Sequence, residues 1–144
     1  MAAPRAAALY SPALLALTVE LADVPYDDQA PALGHARSRS CGSVIHLSSS
    51  RSDRLEEIGL RVSACAVGQA SAALFAREAD GLDLDAVEAM LERLGEWLEG
   101  GAPSAILPRL ELLEPARPHS GRHEAILLPW RAARDALSNP GTPG

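Results

Sequence analysis

LRVSACAVGQASAALF, residues Leu60 to Phe75, begins as a strand and ends as a helix. Leu60 and Val62 alternate with polar neighbours, a period of two. From Val67 the period lengthens, and Val67, Ala70, Ser71, Leu74 and Phe75 fall on one helical face. Cys65 stands at the handover, beside the first free N–H groups of the helix. The partial positive charge of a helix start favours a thiolate there. The same place equally suits a buried, inert cysteine. Small residues follow (Ala66, Gly68, Ala70, Ser71, Ala72, Ala73), so a second element can approach closely.

Upstream, Gly42 to Ser49 reads as a strand, with Cys41, Ser43, Ile45 and Leu47 on one face and Val44 and His46 on the other. Ser49 to Asp53 is a turn, and Arg54 to Ser63 returns as its partner, with Ile58, Leu60 and Val62 sharing a face. Gly34 to Ser40 forms a short edge strand. Before these, Ser11 and Pro12 open a helix over Pro12 to Ala22, and Asp23 to Leu33 is a loop carrying Pro25 and Pro31. Downstream, the Cys65 helix runs to Glu78 and breaks at Asp80-Gly81. Asp85 and Glu88 form a capping box for a helix carrying Leu84, Val87, Leu91, Leu94 and Leu98, which Gly100-Gly101 ends. A short helix spans Ile106 to Leu113, and a last one Glu124 to Leu137. Residues 138–144 read as a disordered tail, and 1–137 as one domain. The order predicts an α+β fold: a small antiparallel sheet of about three strands with helices packed on one face.

The 144 residues suffice for a single core, built from aliphatic side chains because aromatics make up only 3%. A net charge of −6 argues against nucleic acid or an anionic membrane as the main partner. All 13 basic residues are Arg; the absence of Lys excludes Schiff-base chemistry and a P-loop lysine. The N-terminal apolar run after Arg5 is broken by Ser11-Pro12 and lacks a small-x-small cleavage site. It reads as a capped helix of a cytoplasmic protein without a membrane span.

The two cysteines form neither a CxxC pair nor a disulfide framework. In a hairpin, however, Cys41 at the head of one strand and Cys65 at the foot of the next are neighbours. Two thiols at one sheet end outline a site for a soft metal or for sulfur chemistry. A tetrahedral site needs two more ligands, for which His119 and His123 before the last helix are candidates; a solvated loop is the alternative for both. His35 and His46 read as surface residues.

Four segments carry a resemblance to a known family. They are the Leu9-Tyr10-Ser11 start of the first helix, Ser40-Cys41-Gly42-Ser43-Val44-Ile45, Ala64-Cys65-Ala66-Val67-Gly68-Gln69-Ala70-Ser71, and Arg122-His123-Glu124-Ala125-Ile126-Leu127-Leu128-Pro129-Trp130. Their order and spacing resemble the NifU-type scaffold proteins of iron–sulfur cluster assembly, the IscU and SufU group. The long segment between Cys65 and Ala125 is closer to the SufU subclass. The resemblance spans about Leu9 to Leu137.

The resemblance implies a protein that receives sulfur from a cysteine desulfurase, binds iron, an iron–sulfur cluster or zinc, and passes the cluster to apo-protein acceptors, as a monomer or weak homodimer. It implies Cys41 and Cys65 as ligands and Cys41 as a persulfide acceptor. Two positions depart from the pattern: Ser43 stands where the family has Asp, and Ala125 where it has a third Cys. An intact metal site then requires His123, or more weakly His119, as substitute ligand. Two alternatives follow. One is a sulfur-transfer protein working through Cys41, as in the related SufE-like acceptors; the other is a metal-free partner or regulator of the desulfurase.

Overall fold

The computed structural model describes residues 11–101 and 106–138. The sequence-predicted tail at 139–144 and the Leu9-Tyr10 start lie outside these residues. Helix α1 (Pro12–Val19) is capped by the Ser11 hydroxyl, which accepts from the Leu14 amide, and runs into a 3-10 turn at Glu20–Asp23. Strands β1 (Ala32–Arg37), β2 (Val44–Ser49) and β3 (Gly59–Ser63) follow, then α2 (Ala66–Glu78) and α3 (Leu84–Leu98). Two 3-10 turns, Leu110–Ala116 and Ser120–Arg122, lead into α4 (His123–Ser138).

The three strands form one antiparallel sheet in the order β1-β2-β3. Register places Gly34 opposite Leu47 and Leu47 opposite Leu60, and likewise Ala36, Ile45 and Val62 in one row. These rows form the face that the helices cover, and Ile45 and Leu47 are fully buried. On the other face His35, His46 and Arg61 form a row, with His35 stacked on His46 at 5.9 Å. The α+β architecture read from the alternating strand and helix periods is therefore the observed one.

Helix α4 lies against β1 and β2 on one side and against α2 and α3 on the other. Its Trp130 meets Phe75 of α2 edge-on at 4.8 Å, and both rings are inaccessible to solvent. That is the favoured geometry for two ring quadrupoles. Gly34 lets β1 approach the α4 backbone: a Cβ there would stand 2.5 Å from the Ala136 nitrogen and closer still to the Ala132 carbonyl.

Several boundaries differ from the sequence reading. Arg54 to Ile58 is not strand: the Ser49 hydroxyl and the Ser50 amide bond Glu56 backbone groups, closing a loop in which Glu57 has φ 49°. The third helix is capped two residues earlier than the Asp85–Glu88 pattern suggests, by Asp83, whose carboxylate accepts from the Ala86 amide at 2.9 Å. The segment predicted as a helix over Ile106 to Leu113 folds instead as the 3-10 turn Leu110–Ala116, after Arg109 takes a left-handed φ of 68°. Ser138 belongs to α4, not to the tail.

Candidate functional site at the end of the sheet

Pairing of Val44 with Ser63 brings the start of β2 and the end of β3 level with each other. Cys41 precedes that level by three residues and Cys65 follows it by two, so both cysteines lie at the same end of the sheet. Both are free thiols, Cys41 exposed and Cys65 half-buried.

Cys41 is not part of β2. It sits in the turn joining β1 to β2, where Gly42 takes φ 73°, open to glycine without strain. The turn is closed by the Ser38 amide donating to the Ser43 carbonyl at 2.8 Å and the Gly42 amide donating to the Ser38 carbonyl at 3.1 Å. The Cys41 sulfur lies 3.0 Å from the Ser43 hydroxyl and 3.3 Å from that of Ser38. The Ser38 and Ser43 hydroxyls, in that order, hold the Cys41 thiol below the usual cysteine range, and burial opposes them. Ser38 has a single proton and three acceptors near it, the sulfur and, each at 3.1 Å, the Ser40 hydroxyl and the Glu124 carboxylate. Ser43, whose hydroxyl faces the sulfur, is the better placed to donate to a thiolate.

Cys65 is the N-cap residue of α2, and its side chain makes no capping hydrogen bond. The half-buried residue packs against the core. One turn on, Gly68 faces the buried Ala125: a Cβ on Gly68 would lie 3.4 Å from that of Ala125. The first turn of α4 therefore meets the first turn of α2. The Ser71 hydroxyl joins them further, donating to the Ile126 carbonyl at 2.6 Å. Cys41, Ser43, Cys65 and Ala125 thus all belong to segments that meet at this end of the sheet.

The imidazole of His123, the first residue of α4, has its Nε2 2.6 Å from the Arg117 carbonyl at the end of the Leu110–Ala116 turn. His119 precedes the Ser120–Arg122 turn, to which it contributes the carbonyl bonded by the Arg122 amide. Among the described residues no group of three or more His, Cys, Asp or Glu side chains is disposed to hold a metal ion. The chemistry offered is that of a polarised thiol with a second thiol on the neighbouring segment.

Glu124 is a site residue the sequence reading passed over as a helix start. Its Oε1 accepts from the Arg39 and Ser40 amides and the Ser38 hydroxyl, each at 3.1 Å. Its Oε2 faces Arg131 at 3.3 Å. The Ser40 amide and then the Ser38 hydroxyl hold its carboxyl down to about 2.

No protein-family model matches the chain, and no curated protein matches it. Solved structures do. A NifU-like protein (N-terminal) from Brucella abortus is similar over 94% of this chain and 96% of its own, with 25% identity and a TM-score of 0.79. A putative iron–sulfur cluster assembly scaffold protein for the SUF system from Fervidobacterium islandicum is similar over 91% and 98%, with 18% identity and a TM-score of 0.78. A hypothetical protein matches over 88% and 97%, with 22% identity and a TM-score of 0.71. Likeness over nearly the full length of both chains is what the four sequence segments anticipate: this protein has the fold of the NifU-like and SufU iron–sulfur cluster assembly scaffold proteins.

Proposed function

We propose that this protein is a scaffold-type component of iron–sulfur cluster assembly in which Cys41 accepts sulfur from a cysteine desulfurase. The observation that carries the reading is the Cys41 turn: an exposed cysteine whose sulfur lies between two serine hydroxyls, on a fold shared with assembly scaffolds. In the transfer step the Cys41 thiolate attacks the outer sulfur of a persulfide on the donor's cysteine. The donor's S–S bond breaks, its cysteine leaves as a thiolate, and Cys41 becomes the persulfide; no net oxidation occurs and no further reagent is needed. The Ser43 hydroxyl supports the attacking sulfur. Exposure of Cys41 supports delivery from a protein donor, and its lowered proton affinity raises the thiolate fraction at neutral pH.

Cys65, at the same sheet end, favours a second reading in which Cys41 and Cys65 together hold iron or a nascent cluster as cargo. With Ser43 and Ala125 at two of the family's ligand positions, that reading requires further ligands, from His123 after release of the Arg117 carbonyl, from His119, or from the partner protein. The acceptor reading needs no rearrangement and is preferred. It is tested by adding the chain to a cysteine desulfurase with L-cysteine and following alanine release. The expected result is acceleration that disappears in Cys41→Ser and persists in Cys65→Ser. Failure of the wild type to accelerate turnover by any tested desulfurase would overturn it. Iron, zinc and acid-labile sulfide analysis of anaerobically purified protein separates the second reading, which demands metal lost in both variants.

A further inference from the structure

The Glu124 carboxylate ties the turn that carries Cys41 to α4. Within the turn, hydrogen bonds run only between residues 38 and 43, and they fix its shape but not its place. Ties that cross to α4 and its approach include the three donors on Glu124 Oε1 and a weaker contact of the Ser40 hydroxyl with the Gly121 carbonyl at 3.3 Å. Glu124 lies 84 to 86 residues from these donors in sequence. Two of the donors are amides of exposed residues, Arg39 and Ser40, which have no β-ladder partner. An ionised acceptor makes such bonds about twice as strong as a neutral one. Glu124 also suits the positive end of α4, which holds it beside the turn.

We propose that Glu124 is a positioning residue for Cys41: it anchors the 38–41 turn to α4 and so sets where the sulfur is presented to a sulfur donor. The proposal rests on the reading of Cys41 as the acceptor, but its structural half does not. Ser38 links the two, because its hydroxyl donates to Glu124 and accepts from the Cys41 amide at 3.3 Å, and lies the same distance from the Cys41 sulfur. Loss of the carboxylate frees both amides and the hydroxyl that aligns Cys41.

The test uses the full chain with Glu124→Ala, Glu124→Gln and, as a control, Arg131→Gln, which removes only the partner on the other carboxylate oxygen. Three quantities are read: hydrogen exchange of the Arg39 and Ser40 amides, the ratio of Cys41 to Cys65 alkylation by iodoacetamide at fixed pH, and the kinetics of sulfur transfer to Cys41. In Glu124→Ala the two amides exchange about tenfold faster, the loss of roughly one charge-assisted bond. The alkylation ratio and the maximal transfer rate fall about threefold or more, while half-saturation by the donor is unchanged. Glu124→Gln, which keeps an acceptor oxygen, recovers a large part of each, and Arg131→Gln leaves all three near wild type. Unchanged exchange and an unchanged alkylation ratio in Glu124→Ala overturn the proposal. Should that variant not fold, Glu124→Gln decides: full wild-type values at the two amides in 1 M salt, with no change in the ratio, overturn it. If exchange and alkylation respond as stated but wild-type Cys41 takes up no sulfur, the positioning role stands and the functional reading falls.

Discussion

Gly34→Ala tests the contact that sets β1, and with it the Cys41 turn, against α4. A Cβ at position 34 would stand 2.5 Å from the Ala136 nitrogen and 2.8 Å from the Ala136 Cβ, besides its closer approach to the Ala132 carbonyl. These are mostly backbone atoms of a buried helix, so no side-chain rotation relieves them. Separation must grow by about 0.5 Å or more, and overpacking of this kind costs about 2–3 kcal/mol. For a chain of this size that corresponds to a fall in Tm of about 6–10 °C. Gly95→Ala is the matched control of opposite sign. Gly95 lies within α3, nothing lies within 4 Å of a Cβ built there, and its φ is not in the left-handed range. Helix propensity then gives a gain of about 0.5–1 kcal/mol and a Tm rise of about 2–3 °C. Thermal unfolding followed by circular dichroism reads both. A Gly34→Ala protein melting within 1 °C of wild type would refute the close β1–α4 approach, whatever Gly95→Ala does.

Other expectations bear on the site itself. Ser43→Ala removes a donor to the Cys41 sulfur, so the thiol rises toward its ordinary value and its alkylation rate at pH 7 falls several-fold; a pH–rate profile that does not move to higher pH would contradict the assigned role. Glu124 is depressed from 4.5 to about 2 in the folded protein, so its stabilising contribution is complete above pH 4.5 and is lost as pH falls toward 2. The wild type should therefore lose more stability than Glu124→Gln over that interval, measured by urea unfolding at each pH. The double variant Ser43→Asp with Ala125→Cys supplies the two ligand types that the resemblance to NifU-type scaffolds implies at these positions, and zinc content after reconstitution should rise toward one per chain. No rise would mean that the segments do not converge as the Gly68–Ala125 approach indicates.

The sheet and the core helices were legible because their patterns are strong and local. Ile45 and Leu47 alternate with Val44 and His46, and α3 repeats its leucines at helical spacing. What escaped was set by interactions that local patterns do not carry. The alternation of Ile58, Leu60 and Val62 invites a strand that begins before Gly59, but the Ser49 hydroxyl draws the Glu56 amide into a loop. Asp83 and Asp85 are both competent caps; the one whose carboxylate reaches the Ala86 amide prevails. The two cysteines could be placed together by hairpin logic alone, although Cys41 proved to lie in the connecting turn and not on the strand. Glu124 could not be found that way. Its role depends on three donors more than 80 residues distant, and in sequence it is one of several acidic residues at helix starts. The engagement of His123 at the start of α4 with the Arg117 carbonyl likewise has no sequence signature.

The central claim is that Cys41 accepts sulfur, and intact-protein mass spectrometry after exposure to a cysteine desulfurase and L-cysteine tests it most directly. The account predicts a species one sulfur atom heavier, mapped to Cys41, abolished by Cys41→Ser, retained in Cys65→Ser and slowed in Glu124→Ala. An unmodified wild-type chain, or sulfur found on Cys65 alone, would contradict it.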